Sequence, residues 1–544
     1  MHQTITRFST ISLIFLVAFV GTISLLSHFG QAAALPSATF TVSNTNDSGA
    51  GSLRQAILDA NSSVGEDVIE VTAVGTVALL SPLPTITDTV KVEGSGVDLF
   101  IVDGQGLHRV FDIGLTAVTL ADLTIQQGSA ADADGRGGGI RSTGIGLTLD
   151  SVNILSSTAE SHGGGVYVTG GLIVSDSLFQ NNHSISGTGG AILSGGVTFM
   201  TDTQFVDNTS RLSGGGLYAL GELHATNGLF QGNQSLSNGG GLFSFSQTTL
   251  QNTQFLSNTA QNQGGGASAP GVLTITNGLF QNNQTIVGTG GGLFGQDFAT
   301  LQNTHFLSNT AQSRGGGIYM LGAVTLTNSL IQDNQSLNQG GGLYVFGAVT
   351  VDSTQFLGNV AIEGGGLYHG FDKDGRLTNT LFANNKATNE AGAAMLLASS
   401  ANVEVVHVTI GGQSLASGAA VAVLSGTVGI TNTIIVSHAI GISLTSGTVS
   451  QDYNLFFDNG VDSQGGVSGG ANSLSGNPSF QNPVQDNYHL DVDSAAIDGG
   501  TDSGVLSDFE GEIRPFNAGF DIGFDEINLA DFLLNRLYLP LVNR

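Results

Sequence analysis

Two short runs carry the side chains best suited to chemistry. Asp132-Ala133-Asp134-Gly135-Arg136 and Asp372-Lys373-Asp374-Gly375-Arg376 each set two aspartates beside a glycine and a cation. Spaced carboxylates next to a glycine turn can gather oxygen ligands around Ca²⁺, the one cofactor these residues suggest. Asp132, Asp134, Asp372 and Asp374 are therefore the candidate metal ligands. Neither run completes a calcium-loop pattern, so each also fits a solvated turn. His162, His183, His224, His305, His369 and His407 follow no period and are expected on surface turns, with no pair at zinc-ligand spacing on one element. The chain has no cysteine, which excludes disulfides, thiolate metal sites and a Cys nucleophile. No residue is assigned a catalytic role.

A third group is aromatic. The second residue after most glycine runs is a ring: Tyr167, Tyr218, Phe243, Phe294, Tyr319, Tyr344 and Tyr368. The residue before each ring is apolar and expected to face inward, so the rings should face outward. There they could stack on sugar rings or a protein partner, or on one another.

What positions these residues is a repeat. Glycine runs ending at Gly139, Gly165, Gly190, Gly216, Gly241, Gly266, Gly292, Gly317, Gly342 and Gly366 follow one another at intervals of 24 to 26 residues. A second series keeps the beat: Phe179, Phe205, Phe230, Phe255, Phe280, Phe306, Ile331, Phe356 and Phe382, each with an asparagine three residues on, Asn182 through Asn385. Such self-similarity signifies a solenoid. Segments such as Leu172-Ile173-Val174 are short, β-prone and bounded by Gly and Asn, and none is long enough for an amphipathic helix. Each repeat is read as one coil of three short strands and three turns, with roughly fourteen coils stacked about 4.8 Å apart. Phe should form an inward ladder and Asn a ladder that satisfies turn backbone. The residues flanking each Phe alternate Leu and Gln from coil to coil and should face outward. Ser52-Leu53-Arg54-Gln55 reads as a capping box opening a short helix to Asn61 that covers the first coil.

Composition agrees. The 544 residues include 81 glycines yet are 40% hydrophobic, which separates the chain from disordered glycine-rich sequences. Fourteen basic against 42 acidic residues give a net charge of −28, which argues against nucleic acid and anionic lipid as partners. Residues 1–34 read as a signal peptide with an apolar run from Ile11 to Leu26, and no later segment is long and apolar enough to span a bilayer as a helix. The expected organisation is a signal peptide (1–34), an N-terminal cap with irregular coils (35–127), a repeat β-helix (128–485), a closing segment (486–526) and an apolar tail (527–544) as a sorting or anchoring signal or one last strand.

The Gly-Gly-[Gly/Ala]-[Ile/Leu] and Phe-x-x-Asn pairs resemble the repeats of polymorphic outer-membrane proteins over residues 137–396. That resemblance implies a right-handed parallel β-helix of the pectin-lyase-like superfamily and a role in adhesion. Ala496 to Glu526 is similar to the choice-of-anchor segment of secreted bacterial β-helix proteins. The chain departs from the first family in having 18 residues after Glu526 instead of a membrane barrel, so self-export is not expected. The superfamily also implies two chemistries, a lyase with Ca²⁺-bound carboxylates and an Arg or Lys base, or a hydrolase with paired acids. Arg136, Arg141, Arg211, Arg314, Lys373, Arg376 and Lys386 do not recur beside acids at coil spacing. The leading expectation is thus a monomeric, non-catalytic, secreted or cell-surface rod that binds a polysaccharide or a surface protein. A polysaccharide lyase or glycoside hydrolase is the alternative.

Overall fold

The computed structural model describes residues 37–398, 400–412 and 416–528. The segment read as a signal peptide, and the tail beyond Asn528, lie outside the described residues. The chain is a parallel β-solenoid of about 17 turns, more than the repeat count suggested, because the irregular stretches before residue 137 and after 396 also coil. A residue pairs with its counterpart one coil on: Phe205 with Phe230, Phe230 with Phe255.

Each regular coil has three faces. Face A runs in two segments, as in Leu223–Thr226 and Leu229–Gln231, and belongs to a 31-stranded sheet. Face C is a two-residue strand such as Gln234–Ser235, and face B a three-residue strand such as Leu242–Ser244. The bend within face A falls on a residue in the left-handed region, Asn227, Asn252 or Asn277 in successive coils. Asn reaches that region more readily than other side chains with a Cβ. The first glycine of each run, for example Gly239 at φ 64°, makes the turn into face B, where an added Cβ would strike the Leu242 carbonyl oxygen.

The interior is a set of ladders. The Phe rings stack at centroid distances of 4.6–5.1 Å from Phe179 to Phe306, break at Ile331 and resume at Phe356–Phe382. The Asn row is fully buried and saturated from Asn182 to Asn359. Asn258 Nδ2 donates to Phe230 O at 2.8 Å and to Asn283 Oδ1 at 3.0 Å, while its own Oδ1 receives the Asn233 backbone N–H and Nδ2. Buried amides are tolerated only when so paired.

At the N-terminal end, α1 (Leu53–Ala60) buries Leu53, Ala56, Ile57 and Ala60, and Ser52 caps it by accepting the Gln55 N–H. The C-terminal segment was expected to close the other end. Instead it folds back along face A, where Tyr488 and Phe524 pack on Leu357, Leu381 and Ala383. The outward Leu row gives it that landing site, while the strand Val461–Gln464 of the last coils stays exposed. This segment has little regular structure, and carboxylates satisfy its backbone. Glu526 accepts the N–H groups of Phe516 and Asp521, Asp521 those of Asp498 and Ile527, and Asp508 those of Glu510, Glu512 and Glu526. Arg514 lies among them, paired with Glu526 at 2.9 Å with both side chains fully buried.

Candidate functional site

On face B each strand of three alternates in, out, in, as Leu343-Tyr344-Val345 does. The aromatic residues therefore point out of the coil, as their spacing predicted. They do not stand free. Phe243, Phe294, Tyr319 and Tyr344 are buried, while Tyr167, Tyr218 and Tyr368 are half-buried. Tyr319 and Tyr344 stack at 5.1 Å with planes 5° apart, and Tyr344 and Tyr368 at 4.8 Å. The in-register parallel sheet forces this spacing, so each ring covers its neighbours' faces. Ser268 interrupts the row between the Tyr218–Phe243 pair and the Phe294–Tyr368 stack. Burial pushes the Tyr319, Tyr344 and Tyr368 hydroxyls above their usual range, and the Arg314 guanidinium lies 5.3 Å over the Tyr344 ring.

One row of exposed apolar side chains lies one step further along the chain, on the turns from face B into face A. Successive coils place there Leu220, Phe245, Val272, Phe298, Leu321, Phe346 and Phe371. Phe245 is 59% exposed, Phe298 43% and Phe371 61%; Phe346 is half-buried because it packs edge-on against Tyr344 at 5.0 Å. Six coil steps make this edge about 29 Å long. The ladders recur at a fixed phase but this row does not, because within turns of three residues (four before Gly375) the apolar side chain stands first in five coils and third at Val272 and Phe298. Its only sequence signal is a large apolar residue recurring near each face-A start.

The aspartate runs are placed differently. Asp132 is paired with Arg109 at 3.0 Å and accepts the Gly135 N–H. Burial raises its carboxyl, but the Gly135 N–H and Arg109 outweigh that and hold it below its usual value. Asp134 pairs with Arg141 at 2.8 Å, and Arg141 also grips both oxygens of Asp112. These carboxylates are neutralised by arginine. Asp372 and Asp374 stand exposed on their turn, and Asp374 accepts the Asn402 N–H. Neither run belongs to a group of three metal-ligating side chains among the described residues.

Two histidines expected on surface turns are buried. His369 takes the inward position after Tyr368 on face B, and His407 sits at a face-A bend covered by the closing segment, where its Nε2 accepts from Asn432 Nδ2. His438, also buried, borders a cleft of ≈ 640 Å³ between the turns of faces A and C and the closing segment. Asp333, Asn384, Lys386 and Asp486 line the same cleft. His438 Nδ1 lies 2.8 Å from the Val436 carbonyl oxygen, which only accepts, so Nδ1 carries the hydrogen and Nε2 keeps its lone pair. Burial pushes this imidazole down to about 4, so it is neutral at ordinary pH.

No family model and no curated protein matches the chain. Solved structures do. The chain is similar to the A-module of the Azotobacter vinelandii mannuronan C-5 epimerase AlgE6, at 11% identity and a TM-score of 0.21, over 81% of this chain and 100% of that one. It is similar to a mannuronic-acid-specific family 6 polysaccharide lyase from human gut microbiota, at 10% identity and a TM-score of 0.30, over 83% and 94%. A third is the A-module of the AlgE4 epimerase of the same Azotobacter, at 12% identity and a TM-score of 0.26, over 80% and 100%. At these values the likeness concerns the coiled β architecture alone, a solenoid fold that this chain shares with polysaccharide epimerases and lyases.

Proposed function

We propose that this protein is a secreted or cell-surface rod that binds an extended polysaccharide along the turn edge between faces B and A. The observation that carries this reading is the row of apolar side chains on seven consecutive coils, exposed except for the half-buried Phe346. Contiguous apolar surface on a soluble protein marks a contact site, and exposed rings offer sugar C–H groups a flat partner. With a net charge of −28 the favoured polymer is neutral, since a polyanion would be repelled. The test is retention on columns of neutral and acidic polysaccharides, with and without Ca²⁺, for the wild-type chain and the Phe245→Ser/Phe298→Ser/Phe371→Ser variant. Retention of the wild type on a neutral polymer, lost in the variant, is expected. Equal retention of both, or none on any polymer, would refute the reading.

A second reading, a polysaccharide lyase, is favoured by the cleft. A β-elimination needs a base, a cation facing the uronate carboxylate and a proton donor. The neutral His438 Nε2 and the exposed Lys386 can fill the first two roles. Mannuronan, the polymer named for two of the similar solved structures, is the first substrate to try. Appearance of unsaturated uronate ends, abolished by His438→Gln, would support this reading over the first.

A further inference from the structure

The closing segment contains the one group of three metal-ligating side chains among the described residues. His489, Glu510 and Asp525 each place a ligand atom within 4.8 Å of the others. They come from the strand Asn487–Leu490, the turn after Asp508 and the stretch that ends at Ile527.

The imidazole is oriented for coordination. Asn487 Oδ1 accepts the His489 backbone N–H at 3.1 Å, which fixes that amide atom as the oxygen, and it stands 2.7 Å from His489 Nδ1. Amide and carboxylate oxygens both accept, so Nδ1 carries a hydrogen toward Asn487 and Nε2 donates to Glu510 Oε1 at 2.6 Å, a proton that a bound ion would displace. Metal-bound histidines are held this way, with the remote N–H given to an oxygen acceptor.

Asp525 adds an independent observation. It is 7% exposed, its Oδ2 accepts the Leu490 N–H at 2.7 Å, and its other oxygen has no hydrogen-bond partner. A buried carboxylate so placed needs a counter-charge. Arg514 makes no hydrogen bond to it, being bonded to Glu526 and to the carbonyls of Asp521, Gly523 and Asp525, and acts on it only through space, as His489 does when protonated. Asp508 is no rival ligand, since its oxygens are occupied by three backbone N–H groups.

We propose that His489 Nε2, Glu510 and Asp525 bind a Zn²⁺ ion that fastens the closing segment. One imidazole nitrogen and two carboxylate oxygens suit Zn²⁺, with water as the fourth ligand, whereas Ca²⁺ and Mg²⁺ favour all-oxygen sites. The half-exposed Glu510–His489 side admits the ion from solvent. Bound there, it would tie three stretches together beside Phe524, whose ring lies 5.3 Å from His489.

The experiment uses the tag-free full chain, stripped with a chelator and titrated with Zn²⁺ alone by calorimetry, then with Mn²⁺ and Ca²⁺. Expected is a single Zn²⁺ site, weakened at least ~10-fold by His489→Gln and by Glu510→Gln, with Ca²⁺ binding more weakly. Zinc-edge absorption should show a first shell of N and O only. Far-ultraviolet dichroism checks that each variant keeps the rod, and Glu510→Gln, at a half-exposed position, is the safer of the two. Absence of Zn²⁺ binding, or a Zn²⁺ isotherm unchanged in both variants, would overturn the proposal and leave an imidazolium–carboxylate ion pair at this place.

Discussion

Replacing Asn258 by Ala should open the rod locally. Asn258 is fully buried in the middle of its ladder. The substitution removes the donor bonds to Phe230 O and Asn283 Oδ1, and the acceptor that serves the Asn233 N–H and Nδ2. Asn283 Oδ1 keeps the Asn258 N–H, and Asn233 Nδ2 keeps Phe205 O. The Asn233 N–H is left without a partner and the Phe230 carbonyl loses its side-chain donor. Two groups at roughly 1–3 kcal/mol each give a cost of about 2–6 kcal/mol. A stacked array does not unfold as one unit, so a global midpoint is the wrong readout. Amide hydrogen exchange in the coils around residues 230–285 is the right one. At about 1.4 kcal/mol per decade, a cost near 3 kcal/mol accelerates exchange there by about 100-fold, while α1 stays unchanged. Asn252→Gly is the control. It deletes two exposed bonds, the one donated to Asn227 and the one accepted from Asn277, at a positive-φ bend that glycine adopts freely, and it should move exchange by less than tenfold. Local exchange in Asn258→Ala within threefold of wild type would refute the view that the ladder is held by saturated amides.

Phe255→Ala should cost about 3–5 kcal/mol in the same assay, whereas Phe255→Ile should cost much less, since Ile331 already holds a rung of that ladder. Ser52→Ala removes the Gln55 cap and the bond to Gly49 O and should raise exchange in α1 by the equivalent of about 1–2 kcal/mol. Tyr344→Ser should loosen face B locally, because that ring is packed between Tyr319 and Tyr368; unchanged exchange there would show that the stack is passive. The closing segment should lose protection as pH rises. Burial pushes Asp521 up to about 7 and Asp525 to about 6, so both bind protons more tightly folded than unfolded. Their contribution is complete below the ordinary carboxyl range and is lost as pH rises through about 6–7. His489, raised chiefly by its bond to Glu510, has the same sign. With chelator present, protection of residues 486–527, corrected for intrinsic exchange, should fall between pH 5 and pH 8. Asp525→Asn, which keeps an acceptor for Leu490, should flatten part of the fall.

The fold was legible because a solenoid writes its geometry into the sequence once per coil. Phe205, Phe230 and Phe255 recur at the coil length, and parallel pairing turns that recurrence directly into a stack. The same argument read the outward direction of Tyr319 and Tyr344 correctly, since alternation along a strand is fixed by the pleat. It could not read their exposure. Outward on face B means toward neighbouring rungs and turn residues such as Phe346, and that cover depends on side-chain packing rather than on period. The missed row of Phe245, Phe298 and Phe371 follows from the same limit, because its members take different places within their turns.

The closing segment marks where periodicity stops informing altogether. His489, Glu510 and Asp525 stand 21 and 15 residues apart, on no shared element and in no recurring motif. Only the fold-back over Leu357 and Leu381 brings them together. The outer Leu–Gln alternation was visible as a pattern, but its use as a platform was not, since nothing local in Leu357 distinguishes it from Leu256 or Leu307 one or two blocks earlier. What distinguishes it is distance along the rod: the chain turns back after the last coil, and its reach sets which outer Leu residues Tyr488 and Phe524 cover. Deleting one two-coil block from the middle of the repeat should therefore leave the closing segment and its three-residue group intact, because both travel with the C-terminal coils. Loss of the segment's protection in such a deletion would mean that it depends on coils it does not touch.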